Sequence, residues 1–300
     1  AIMGADCSGV TGAIATNVAV PNGVVMISPS ATSPGLTDLN DKGYFFRTAP
    51  SDARGGQVLA DITKDRKVKS IAVTHTNNDY GKGLADVYVA AVKAHGINVT
   101  AVTAHEEGKG DYGAEVATLA SAGGDALAVL GYLDQAGGMI IQGSLDSGSF
   151  DTFVLSDGMI GDSLTDRFGK DLNKSFGSLP GSTGKGAGKF AEVAKAGGID
   201  SSGPYTGESY DAAALITLAM QAGGKADRET IQANVMNVAN APGKKIYPGE
   251  LGKALDLLAK GKAVNYEGAT GVEFTEVGEA FGSFLEKEIK SGKFKTKKQR

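Results

Sequence analysis

Short β-branched runs alternate with longer amphipathic stretches through the first half of the chain. The runs at Val24–Ser28, Tyr44–Thr48, Ser70–Thr74, Val99–Ala104, Ala126–Gly131 and Thr152–Leu155 predict buried strands. The opening Ala1–Ala5 has the pattern of a strand middle. Between the runs, Gly9–Val20, Asp52–Asp65, Asp79–Ala94, Asp111–Ala122, Asp134–Ser147 and Gly186–Ala196 predict helices. The helix from Asp79 is the clearest, because Leu84, Val87, Tyr88, Ala91 and Val92 fall on one face. Such alternation is the pattern of parallel sheets flanked by helices, an α/β architecture.

Beyond Pro180 the pattern changes. Gly181–Lys189, rich in Gly and Ser, predicts a mobile crossing between lobes. The region after it is expected to be mainly helical, with an apolar stripe at Ala212, Leu215, Ile216, Ala219 and Met220 and helices near Arg228–Val238 and Gly249–Ala259. Gly271–Lys290 predicts strands around a turn at Gly278, and the basic run Lys290–Arg300 predicts a solvated tail.

Composition narrows the function. A chain of 300 residues suggests two domains, and 41% hydrophobic residues suffice for sizeable cores. The formal charge of −4 argues against nucleic acid, which needs a clustered basic face. No apolar run approaches membrane-spanning length. No signal peptide is visible, and the strand-like start is read as lying downstream of the natural N-terminus. Cys7 is the only cysteine, which in an exported protein points to a missing partner or a free thiol.

Catalytic chemistry finds no residues. Gly181–Lys189 fails as a phosphate loop, since Gly188-Lys189 is followed by Phe190. His75, His95 and His105 have no metal spacing; His95 suits a helix C-terminus, and His75 is read as a polar loop residue after its strand. There is no Gly-x-Ser-x-Gly elbow. What the chain offers is a holding loop. Ile27-Ser28-Pro29-Ser30-Ala31-Thr32-Ser33-Pro34 ends a buried strand, where open α/β sheets bind small ligands, and its hydroxyls and N–H groups suit a carboxylate. Tyr80, Tyr132 and Asp157 each follow a predicted strand, supplying apolar wall, hydroxyls and a partner for an ammonium.

These residues carry a resemblance. Gly4-Ala5-Asp6-Cys7-Ser8, the Ile27–Pro34 loop, Phe46-Arg47-Thr48, Asp79–Ala85, Gly131-Tyr132 and Ser209-Tyr210-Asp211-Ala212 resemble, in order, the substrate-binding proteins of branched-chain amino-acid ABC transporters. The resemblance implies the type I periplasmic binding fold: two Rossmann-like lobes with parallel central sheets, joined by a three-strand hinge. Residues 1–49 with 181–277 would form the first lobe, and 50–180 with 278–300 the second. An amino acid, branched-chain or a related aliphatic one, would bind between them. Ser8 and Thr32, with N–H groups near Ser30, Ala31 and Thr32, would hold its carboxylate; the Ser30 carbonyl, Thr32 and Asp157 would receive its ammonium; Tyr80 and Tyr132 would close over it. The implied protein is a periplasmic monomer without cofactor or metal, which delivers its ligand to permease subunits and performs no chemistry.

Two departures stand out. The family begins with about two more βα units, roughly 60 residues at typical βαβ size. In some relatives the cysteine matching Cys7 forms a disulfide with that upstream segment. Asp6, with Cys7 at the pocket rim, lies where the family commonly places apolar atoms. It either points outward, caps the helix near Gly9, or marks a polar or cationic ligand. One rival function is a ligand-sensing module on the same fold, binding an amide or other small polar metabolite. A second, a nucleotide-dependent enzyme, predicts Gly-x-Gly-x-x-Gly after a strand with an acidic residue further on, and none is expected in this chain.

Overall fold

The computed structural model describes residues 1–300, which divide into two compact units: Ala1–Ser51 with Pro180–Ser283, and Asp52–Leu179 with Phe284–Arg300. The chain passes from one to the other after Ser51, Leu179 and Ser283. Residues 278–283, expected in the second unit, group with the first.

In the first unit β1 (Ile2–Met3), β2 (Met26–Ser28) and β3 (Phe45–Arg47) form a parallel sheet in that order. Side-chain alternation sends neighbouring residues of β2 to opposite cores. Ile27, with Val25 just before the strand, joins Phe46, Leu215, Val235 and Tyr266. Met26 joins Ala15, Ala19 and Phe45. The sheet is covered by α1 (Ser8–Ile14), which continues through a π-turn to Ala19, and by α8 (Thr206–Gly223), with α9 (Arg228–Ala239) packed on α8. α7 (Lys185–Ala196) and α10 (Leu251–Ala259) complete the helices of this unit. Two three-residue strands, β9 (Lys244–Ile246) and β10 (Val264–Tyr266), pair in parallel inside the region expected to be helical. The proposed mobile crossing is shorter than Gly181–Lys189, because α7 already begins at Lys185. On the β1 and α1 side, Met3, Val10 and Val18 are about half exposed.

The second unit has a seven-stranded sheet. Its parallel strands are β4 (Ser70–Thr76), β5 (Asn98–His105), β6 (Ala126–Leu130), β7 (Phe153–Leu155) and β8 (Phe176–Pro180). β11 (Phe284–Lys290) and β12 (Lys293–Gln299) extend it to the order β12-β11-β8-β7-β6-β4-β5. β12 pairs antiparallel with β11. This corrects two expectations: the sheet is not wholly parallel, and the basic tail is an edge strand. Lysines on such an edge oppose pairing with another chain. Alternation again builds two cores: Leu127, Val129, Phe153 and Leu155 face one, and Ile71, Val73, Ala128 and Val154 the other. α2 (Asp52–Asp65), α3 (Asp79–Ala94), α4 (Gly113–Ala122), α5 (Gly138–Asp146) and α6 (Asp162–Phe168) complete the unit. The helix expected from Asp134 is a π-turn, Leu133–Gly137, leading into α5. Asn78, not Asp79, caps α3, its side chain accepting the Gly81 N–H at 3.0 Å. Gly81 is obligatory there, since a Cβ would come within 2.3 Å of the Thr76 carbonyl oxygen.

Candidate ligand-binding site

In the first unit, the candidate residues lie on loops leaving the carboxyl ends of β1, β2 and β3. Ser28 ends β2 and organises its loop: its Oγ donates to the Ala5 carbonyl at 2.7 Å and accepts the Ala31 and Ser30 N–H groups at 3.0 and 3.4 Å. Arg47, fully buried, donates Nη1 to the Ala31 and Ser33 carbonyls at 3.1 and 2.9 Å. Its Nη2 reaches Thr37 Oγ1 at 3.0 Å and Glu279 Oε1 at 2.5 Å. A buried cation is costly unless paired, and Glu279 supplies the counter-charge. The N–H groups of Ser30 and Ala31, expected to meet a ligand carboxylate, are thus both bonded to Ser28 in this structure. Ala31 supports the loop.

Ser8 is the first residue of α1, buried, and its Oγ accepts the Ser33 N–H at 3.1 Å. Thr32 is 1% exposed, and its hydroxyl has no hydrogen-bond partner. Such a group costs about 1–3 kcal/mol while it stays unsatisfied. Ser30, half-buried, donates its Oγ to Asp6 Oδ1 at 2.6 Å. Asp6 is exposed and caps no helix; the N-cap of α1 is Cys7, an exposed free thiol that makes no side-chain cap.

The N-terminus of α8 lies at the same edge. Thr48 donates its N–H to the Ser28 carbonyl at 3.0 Å and its Oγ1 to the Glu208 carbonyl at 2.9 Å. Glu208 is 4% exposed, and burial pushes its carboxyl up to about 7, with Asp211 adding to the shift. Tyr205, the residue before α8, has φ +59°, a strained conformation for a bulky aromatic. Asp211 is structural. Its carboxylate accepts bonds from Tyr266 Oη, the Ala269 and Thr270 N–H groups and Thr270 Oγ1, while burial raises it to about 6.

The second unit holds its own cluster of candidate residues. Asp157 follows β7 and is buried; Tyr80, in the first turn of α3, donates its hydroxyl to Asp157 Oδ1 at 2.6 Å and to Ser156 Oγ at 3.0 Å. The same hydroxyl accepts the Gly158 N–H at 3.3 Å. Burial, then the Asp157 charge, pushes the phenol well above its ordinary value, so it stays a donor. Tyr132, half-buried, stacks on Tyr80 with ring centroids 5.2 Å apart. Gly158 is needed at this junction, because a Cβ would meet the Gly131 carbonyl oxygen at 2.5 Å. The structure thus joins Tyr80, Tyr132 and Asp157, but commits the Tyr80 hydroxyl to Asp157 and Ser156.

Nothing assembles a metal centre: no group of three or more His, Cys, Asp or Glu side chains is placed to hold one. His75 lies within β4, not in a loop, and its Nδ1 bonds the Thr76 carbonyl. His95, at the C-cap of α3, pairs with Asp61 at 2.8 Å. His105 is buried beside Thr74 and lowered to about 4 by burial. One spacing escaped the sequence reading: Gly108-Lys109-Gly110-Asp111-Tyr112-Gly113 does fit Gly-x-Gly-x-x-Gly. It starts three residues past the edge strand β5, Lys109 is paired with Glu115, and Glu106, Glu107 and Asp111 surround it. A pyrophosphate loop joins strand to helix directly and carries no such negative field.

Residues 1–126 match the family described as receptor family ligand binding region. The chain is 37% identical over 155 residues to Leu/Ile/Val-binding protein homolog 3 of Brucella melitensis, covering 49% of this chain and 42% of that one. The structure superposes on the leucine-binding protein LivK of Thermotoga maritima with a TM-score of 0.81 at 21% identity, covering 100% of this chain and 79% of LivK. The chain is similar to Leu/Ile/Val-binding proteins and has the type I periplasmic binding fold. A chemotactic signal transduction substrate-binding protein of Halobacterium salinarum, BasB, is 26% identical over 306 residues, covering 99% of this chain and 71% of the relative. The chain therefore spans less than half of the Brucella relative and about seven-tenths of the halobacterial one. No helix in this example of the fold is long and apolar enough to cross a membrane.

Proposed function

We propose that the chain is the solute-binding component of an ABC importer, which holds an amino-acid zwitterion and hands it to permease subunits as a periplasmic monomer. No bond is made or broken. The observation that carries this reading is the buried, unpartnered Thr32 hydroxyl, in a loop that Ser8, Ser28 and Arg47 hold in place. A hydroxyl in that position lacks only a ligand group. Ser8 and Thr32 take the carboxylate; Thr32, the Ser30 carbonyl and Asp157 take the ammonium. Tyr132 supplies apolar wall, and Tyr80 holds Asp157 in place. Charge-assisted bonds fix the zwitterion, while the walls select the side chain.

A thermal-shift screen over amino acids, amides and short aliphatic acids tests this. Ligand at 100 times its Kd stabilises by about 2.7 kcal/mol, enough to raise Tm by several degrees. A rise with amino acids alone is the expected result. A rise with amides or aliphatic acids but no amino acid overturns it in favour of the sensing module. The chemotactic role in the name of the halobacterial relative favours that second reading.

A further inference from the structure

We propose that Glu208 reads the ligand side chain, and that the amino acid bound ends in a cation, an ammonium or guanidinium, instead of an aliphatic group. This rests on the amino-acid reading above and adds the class of side chain. Glu208 stands in the first turn of α8, on the stripe with Asp211, Ala212 and Leu215 whose last two members join the core of the first unit's sheet. Helical side chains tilt toward the helix N-terminus. Since the Glu208 carbonyl accepts from Thr48, whose own N–H bonds the end of β2, the first turn of α8 that carries Glu208 stands at the edge where Ser8 and Thr32 lie.

The carboxyl group is buried there without a partner side chain; its one hydrogen bond comes from its own N–H. Asp211, one turn further on, shows what a structural acid looks like in this unit: equally buried, it accepts four hydrogen bonds. Glu208 has nothing comparable. Independently, the unpartnered Thr32 hydroxyl marks the same edge as incomplete. Arg47, the basic side chain bonded into this loop, is already neutralised by Glu279. Asp6, tied to Ser30 and open to solvent, adds a second carboxylate to the edge. An aliphatic side chain against Glu208 would leave a buried carboxyl unpaired, whereas a cation would form a charge-assisted hydrogen bond.

Calorimetry on the full chain with L-lysine, L-arginine and L-leucine tests this, alongside Glu208→Gln. Gln keeps the shape and the backbone carbonyl that Thr48 bonds. Lysine or arginine should bind at least tenfold tighter than leucine, and Glu208→Gln should erase that preference. Leucine binding as tightly as the cationic ligands, or a preference that survives in Glu208→Gln, overturns the inference and leaves the amino-acid reading intact. Binding of no amino acid at all overturns both. Should Glu208→Gln fail to fold, the lysine-to-leucine affinity ratio of the unaltered chain decides: it should rise from pH 6 to pH 8 as Glu208 ionises, and a flat ratio overturns the inference.

Discussion

The candidate residues of the two units are prepared differently. In the second unit, Asp157, Tyr80 and Ser156 bond one another, and the phenol is kept protonated by burial. In the first unit, the loop is rigidly held by Ser28 and Arg47 but leaves the Thr32 hydroxyl and the Glu208 carboxyl without side-chain partners. One unit aims a charge; the other keeps unmet valences. The second unit should therefore change little in stability when ligand leaves, and the first should carry most of the cost of the empty state.

Removing the aimed charge should have the largest effect. Asp157→Ala leaves the ligand ammonium without its counter-charge, a loss of about 2–5 kcal/mol of binding. The fold should persist, because Tyr80 keeps Ser156 and Gly158 as partners. Unchanged affinity by calorimetry would remove Asp157 from the site and dissolve the contrast.

The next effect lies in the empty state and depends on pH. Burial raises the Glu208 carboxyl from 4.5 to about 7, so the folded chain retains a proton that the unfolded chain releases. Stability should be fully present below about pH 4.5 and fall as pH rises toward 7, by roughly 3 kcal/mol from this group. Asp211, raised from 3.8 to about 6, contributes in the same direction over a lower window. Urea unfolding of the ligand-free chain at pH 5 and pH 8 measures the difference, and Glu208→Gln should shrink it. A stability that rises over this interval would contradict the burial of an unpaired acid.

Thr32→Val is the finest test. Deleting a hydroxyl that bonds charged groups costs about 1.5–3 kcal/mol of binding, at least tenfold in Kd. The empty protein should be no less stable, since the hydroxyl has no partner there. Ser33→Ala gives the opposite signature: its Oγ caps the turn at Gly35, so about 1 kcal/mol of stability is lost with little change in affinity. Equal affinity losses at both positions would mean that a different loop residue faces the ligand.

Much of this was legible in the chain because the information is local. Strand periodicity located β2 to β7 within a residue or two, and turn chemistry drew attention to Thr32, Tyr80 and Asp157. What escaped depends on distant partners. β9 and β10 are three-residue strands whose partners lie about twenty residues away, too short for a periodic signal. β12 looks like a solvated lysine run because its pairing with β11 is invisible in composition. The burial of Arg47 follows from Glu279, more than two hundred residues on, and nothing near Glu208 in sequence announces that it is buried. Only packing separates the satisfied Asp211 from the unsatisfied Glu208.

The hairpin of β11 and β12 also governs when the second unit can form. Its sheet is flanked beyond β8 by strands that come more than a hundred residues later, after the whole of the first unit's second segment. During synthesis, Asp52–Leu179 must wait, with β8 unflanked, until residues 284–299 have emerged. Closing so long a loop is entropically slow, and an exposed strand in the meantime is a template for wrong pairing. Arg300, bonded to Asp65 and Glu286 and backbone-paired with Phe284, then fastens this late hairpin to α2. β12 thus acts as a latch on material made long before it.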